Sequence, residues 1–126
     1  MTGEQVLVVE DNEKNMKLFR DVLVATGYRT LEATTGGEAI DMASEHTPDL
    51  VLMDIQLPGL DGVEALHRLR ANARTAMIPV LALTAQAMRG DRERVLAEGF
   101  DGYVSKPVNV RELIGIVRQH CDGRLG

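Results

Sequence analysis

Short runs of Val, Ile and Leu alternate along the chain with longer stretches whose apolar residues recur at helical spacing. This is the pattern of repeated βα units around a buried parallel sheet. Five strands are predicted, at Gln5 to Val9, Arg29 to Ala33, Leu50 to Met53, Pro79 to Leu83 and Gly102 to Val104. The first, third and fourth are apolar almost without interruption and belong in the centre; the second and fifth are weaker and belong at the edges. Helices are predicted at about Glu13 to Thr26, Gly37 to His46, Gly62 to Asn72, Ala87 to Glu98 and Val110 to Cys121. Thr35 with Glu38, Asp61 with Glu64 and Asn109 with Glu112 have the spacing of capping boxes or their acidic variants.

The core-facing stripes follow from the same period: Met16, Phe19, Val22 and Leu23; Ile40 and Ala43; Val63, Leu66 and Leu69; Leu113, Ile114 and Val117. The fourth helix is polar and Gly-interrupted, with mainly Val95 and Leu96 to anchor it, so it is predicted to be the least rigid.

Composition narrows the function classes. A length of 126 residues with 44% hydrophobic residues supports one domain with one aliphatic core and no staples. Only the tail from Asp122 to Gly126 follows the last helix, so a single domain spanning 1–126 without an output domain is expected. The net charge of −5, with 14 dispersed basic residues, lacks the footprint of a nucleic-acid binder. Aromatic content of 3% with no Trp offers no stacking platform for bases or sugars. A lone Cys121, no apolar run near the roughly 18 residues that span a bilayer and no signal-peptide core point to the cytoplasm and exclude a membrane partner.

Chemistry concentrates at the predicted strand ends. Glu10 and Asp11 follow the first strand, Asp54 the third, Thr84 the fourth and Lys106 the fifth, with Asp61 nearby. Carboxyl ends of strands are where open α/β sheets build their sites. Like charges about 4 Å apart repel by about 1 kcal/mol in water and about 4 kcal/mol at an effective dielectric near 20. Clustering Glu10, Asp11 and Asp54 is therefore unfavourable unless a cation sits among them, and hard oxygen ligands that leave room for water and phosphate favour Mg²⁺. An aspartate that accepts a phosphoryl group needs such a metal, a fixed cation opposite and a hydroxyl or amide donor. Lys106 has the reach for the second role.

Each residue also has a plainer use. Glu10 and Asp11 end a strand and can cap the next helix, Asp54 precedes a turn at Leu57-Pro58-Gly59, and Thr84 can cap the helix after it. Asp61 is assigned to capping alone. A lysine before Pro107 is ordinary by itself.

Four blocks stand in the order of one known family: L-V-V-E-D-N from Leu7 to Asn12, D-L-V-L-M-D-I-Q-L-P-G-L-D-G from Asp49 to Gly62, P-V-L-A-L-T-A from Pro79 to Ala85, and Y-V-S-K-P from Tyr103 to Pro107. Over essentially its whole length the chain resembles the receiver domain of two-component response regulators, and within them the single-domain cell-cycle regulators. The resemblance implies a flavodoxin-like, doubly wound α/β fold: a five-stranded parallel sheet with helices on both faces. It implies a phosphoacceptor at Asp54, Mg²⁺ (or Mn²⁺ in its place) held by Glu10, Asp11, Asp54 and the backbone carbonyl of Gln56, and Lys106 paired with the phosphoryl group. Thr84 and Tyr103 would form the switch pair, Ala85 the small residue beside the site, and Lys106-Pro107 a cis peptide that aims the ammonium inward. Gln56 and Gln86 occupy positions that tune hydrolysis in the family. The position of Glu10 is more commonly an aspartate.

The implied partners are a histidine kinase or a histidine phosphotransfer protein and a downstream protein target, with the chain a monomer or weak dimer. Two rivals belong to other classes. An aspartate-nucleophile phosphatase of the haloacid-dehalogenase kind would want a second acid where Gln56 stands. A receiver-shaped adaptor that is never phosphorylated would lack an acid, the threonine or the lysine, and none is missing. Arg89-Gly90-Asp91 and Gly36-Gly37 are read as chance and as a turn, and His46, His67 and His120 as dispersed surface or core residues.

Overall fold

Five βα units are present, in the order β1 (Gln5–Val9), α1 (Glu13–Ala25), β2 (Arg29–Ala33), α2 (Gly36–His46), β3 (Leu50–Asp54), α3 (Gly62–Ala71), β4 (Val80–Thr84), α4 (Asp91–Ala97), β5 (Gly102–Ser105) and α5 (Val110–Asp122). These elements come from a computed structural model that describes residues 3–57, 61–84 and 91–122. The strands pair in parallel in the order β2-β1-β3-β4-β5. The apolar runs predicted to be central are the three inner strands, and the two weaker ones are the edges. Because β2 lies to one side of β1 and β3 to the other, the winding reverses between β1 and β3, and a crevice opens there at the carboxyl ends.

Strand alternation divides the core. Val6, Val8, Leu50, Leu52, Leu81, Leu83 and Val104 face α1 and α5, where Met16, Phe19, Leu23, Leu113, Val117 and Cys121 meet them. Leu7, Val9, Val51, Met53, Val80 and Ala82 face the other way, against Ala39, Ala43, Ala65, Leu66 and Leu69. Ile116 joins the first layer from α5, while Ile114, predicted to do so, is half-buried and does not.

The helix starts form as the capping pattern requires. Thr35, Asp61 and Asn109 side chains accept the N–H of Glu38, Glu64 and Glu112 at 3.1, 2.9 and 3.0 Å. The fourth helix departs from its sequence reading. Its described part begins at Asp91, residues 85–90 lying outside the described range, and Leu96 is exposed where the sequence reading makes it an anchor. Adjacent residues project about 100° apart around a helix, so a helix of about two turns that buries Val95 turns Leu96 outward; Phe100 packs into the layer that Val95 joins. No helix among the described residues is long and apolar enough to cross a membrane.

Candidate functional site

The parity that sends Val6 and Val8 toward α1 continues to Glu10, as that of Leu50 and Leu52 continues to Asp54 and that of Val104 to Lys106. Three strand ends therefore aim functional groups at one place. Glu10 still belongs to the sheet through its N–H on the Ala33 carbonyl at 3.0 Å, and its side chain is 1% exposed. Asp54 ends β3 and is 5% exposed; its Oδ1 accepts the Gln56 N–H at 2.9 Å, turning the chain away from the sheet. Lys106 follows β5, its N–H bonded to the Thr84 carbonyl at 2.8 Å and its peptide to Pro107 cis. The Lys106 Nζ donates to Glu10 Oε1 at 2.7 Å and to Asp54 Oδ2 at 2.9 Å.

Asp11 is exposed, yet oxygens of Glu10, Asp11 and Asp54 all come within 4.8 Å of one another. That set consists of hard oxygen donors with one open, solvated side, which fits a Mg²⁺ ion that keeps several of its waters. The field in the crevice shows in the protonation of its groups. Burial pushes the Glu10 carboxyl above the usual carboxylate range, against the opposing pull of its hydrogen bonds from Lys106 and the Asn12 N–H. Burial on its own disfavours the Lys106 ammonium, but its bonds to Glu10 and Asp54 outweigh this and hold it above the usual lysine range.

Asn12, rather than either acid before it, caps α1, its Oδ1 accepting the Asn15 N–H at 3.0 Å. The Asn12 N–H in turn donates to Glu10 Oε2 at 3.1 Å. The capping duty that would have explained Glu10 and Asp11 as structure is thus discharged by the next residue. Sequence reasoning missed this donor. An Asn just before a helical period was the available signal, without the glutamate three residues on that would have strengthened it.

Gly62 was also missed. A Cβ there would run into the Asp54 carbonyl oxygen and come within 2.8 Å of the Ile55 Cα, and the Gly62 N–H bonds the Ile55 carbonyl at 3.0 Å. The start of α3 therefore rests directly on the turn that carries Asp54 and Gln56. Asp61 does only the capping assigned to it.

Thr84 and Tyr103 lie a step away from this cluster. Thr84 shares the parity of Ala82, and Ala82 pairs with Tyr103 across β4 and β5, so both residues face the layer of α2 and α3. Tyr103 is partly buried against that layer. Pro107 is exposed, and Ala85 and Gln86 lie outside the described residues. The three histidines do not converge: His67 pairs with Glu98 at 3.4 Å, and His120 Nδ1 lies 2.9 Å from the Ile116 carbonyl.

Known proteins share this architecture. The receiver domain of a sensor histidine kinase from Pseudomonas aeruginosa PAO1, solved with a magnesium ion coordinated in its active-site cleft, is 36% identical with a TM-score of 0.88, covering 96% of this chain and 99% of that one. The receiver domain of a Francisella response regulator is 28% identical with a TM-score of 0.89, over 97% and 99%. The polar-differentiation response regulator DivK of Brucella ovis is 48% identical over 117 residues, 93% of this chain and 95% of the relative, and DivK of Brucella anthropi matches to the same extent. Since the model of the response regulator receiver domain also matches from Val6 to Arg118, a span that takes in β2 to β5, all of β1 but Gln5, and both buried acids, this chain belongs to the response regulator receiver domain family.

Proposed function

We propose that Asp54 is the residue phosphorylated in this response regulator, that the donor is the phosphohistidine of a histidine kinase or a histidine phosphotransfer protein, and that the phosphorylated form acts by binding another protein. The observation that carries this is the convergence of Asp54 with Glu10 and Asp11 around the Lys106 ammonium, at the one crevice where the winding of the sheet reverses. In the transfer an Asp54 carboxylate oxygen attacks phosphorus, the bond from phosphorus to the imidazole nitrogen breaks with its electron pair going to the ring, and an aspartyl phosphate remains.

Glu10, Asp11, Asp54 and the Gln56 carbonyl are the residues that would hold Mg²⁺, with Mn²⁺ a substitute of the same donor preference. The metal would screen the incoming dianion and fix its oxygens. Lys106 supplies the cation on the other side, its backbone fixed at the strand end by the bond to the Thr84 carbonyl. Thr84 at the end of β4 would hold a phosphoryl oxygen through its hydroxyl, and Tyr103, on the same side of the sheet, would move into the space the threonine leaves. That movement reaches the surface formed by α4, β5 and α5, which a downstream protein would read.

The test is intact mass after incubation with acetyl phosphate, with and without Mg²⁺, for the wild type and Asp54→Asn. A gain of one phosphoryl group that requires both Mg²⁺ and Asp54 is expected. No gain under any condition would leave a phosphorylation-independent adaptor in its place.

A further inference from the structure

The three acids of the cluster are not held alike. Glu10 and Asp54 are buried, and the turns after their strands clamp one oxygen of each, Glu10 Oε2 by the Asn12 N–H and Asp54 Oδ1 by the Gln56 N–H. Asp11 is exposed, and its carboxylate takes no hydrogen bond or ion pair from the described residues. Its oxygen nevertheless lies within 4.8 Å of oxygens of the other two. Its backbone alone puts it there.

That backbone is pinned on both sides. Glu10, before it, is still in the sheet, with its N–H on the Ala33 carbonyl at 3.0 Å. Asn12, after it, is extended, with φ −90° and ψ 121°, and belongs to the start of α1. Its side-chain Oδ1 accepts the Asn15 N–H at 3.0 Å, and its carbonyl accepts the Met16 N–H at 2.9 Å. A helix start without a side-chain acceptor leaves its leading N–H groups to water and frays. The peptide between Asp11 and Asn12 is therefore set by the cap, and its N–H is the one that clamps Glu10 Oε2.

We infer that Asn12 is a positioning residue for the acid cluster: by capping α1, its side chain fixes the Asp11–Asn12 peptide and through it both the place of the Asp11 carboxylate and the clamp on Glu10. Its own oxygen is engaged by the Asn15 N–H, so it acts through the two acids. This rests on the reading of the cluster as the Mg²⁺ site beside the phosphoacceptor.

The experiment measures Mg²⁺ affinity by calorimetry in the wild type and three variants. Asn12→Ala should bind Mg²⁺ about fivefold more weakly, the factor that corresponds to the roughly 1 kcal/mol of an N-cap. Asn12→Ser keeps an acceptor and should restore most of the affinity. Thr35→Ala removes the equivalent cap from α2, away from the acids, and should leave the affinity unchanged. With acetyl phosphate, the slower phosphorylation of Asn12→Ala should recover at saturating Mg²⁺, which a fault in the nucleophile would not allow. Linkage is reciprocal, so in the wild type Mg²⁺ should slow hydrogen exchange of the Asn15 amide by about the same factor and hardly touch that of Glu38, which Thr35 caps. Equal affinities in wild type and Asn12→Ala, an equal loss in Thr35→Ala, or no rescue in Asn12→Ser would overturn the role. An Asn15 amide indifferent to Mg²⁺ would overturn it even if Asn12→Ala does not fold. Absence of any Mg²⁺ binding by the wild type would instead overturn the metal-dependent reading of the cluster, and the inference with it.

Discussion

Acidic residues stand at both ends of the sheet, in opposite circumstances. At the amino end Asp49 Oδ2 accepts the Gln5 N–H at 2.8 Å, and Asp101 Oδ2 accepts the Val80 N–H and an Arg70 N–H, each at 2.8 Å. Each of these residues precedes one strand and ties down the first residue of the neighbouring one. Strands begin there, and their leading N–H groups need acceptors. At the carboxyl end Glu10, Asp11 and Asp54 are packed against one another, with Lys106 between the two buried members. The same side-chain chemistry makes a staple where donors surround it and a cation site where other carboxylates do. The difference teaches that an acid in this fold is read by the end of the strand it occupies, more than by how apolar its neighbours are.

Substitutions at the two ends should separate the roles. Asp54→Asn has the largest expected effect, complete loss of the phosphoryl adduct in intact mass with the cooperative unfolding transition retained, because the amide keeps the shape and loses the nucleophile. Mg²⁺ at a hundred times its dissociation constant should raise unfolding free energy by about 2.7 kcal/mol in chemical denaturation. The same addition should do almost nothing for an Asp11→Asn/Asp54→Asn protein. Gly62→Ala should cost about 2 kcal/mol in urea, the usual scale for forcing a methyl into occupied space, and slow phosphorylation as well, since the intruding Cβ displaces the Asp54 carbonyl. Asp101→Ala should cost about 1 kcal/mol, the worth of a partly solvated bond that also serves a guanidinium, and leave the rate of phosphorylation unchanged. If Asp101→Ala slowed phosphorylation as much as Gly62→Ala, the division between the ends would fail.

Most of the scaffold was readable from one chain. Continuous apolar runs named β1, β3 and β4 as central, and the poorer runs named β2 and β5 as edges. The caps at Thr35, Asp61 and Asn109 fell where their spacing put them. What failed was local ambiguity. Val95 and Leu96 are equally apolar neighbours, and only packing chose between them. Ile114 and Ile116 pose the same problem on α5. Asn12 escaped notice because Asn15, not a glutamate, stands three residues on, so the spacing that marked the other caps is absent.

For the site the division is sharper. Residue identities and their place at strand ends were determined by the sequence alone, because apolar periodicity states where a strand stops and which residue stands there. That Lys106 bonds Glu10 across 96 positions and Asp54 across 52 is a fact of strand order and parity. So is the different side of the sheet on which Thr84 and Tyr103 lie. Such contacts join residues that share no local segment, and no propensity or spacing encodes them. They exist only once the hydrophobic layers have set which strands are neighbours and which way each side chain turns.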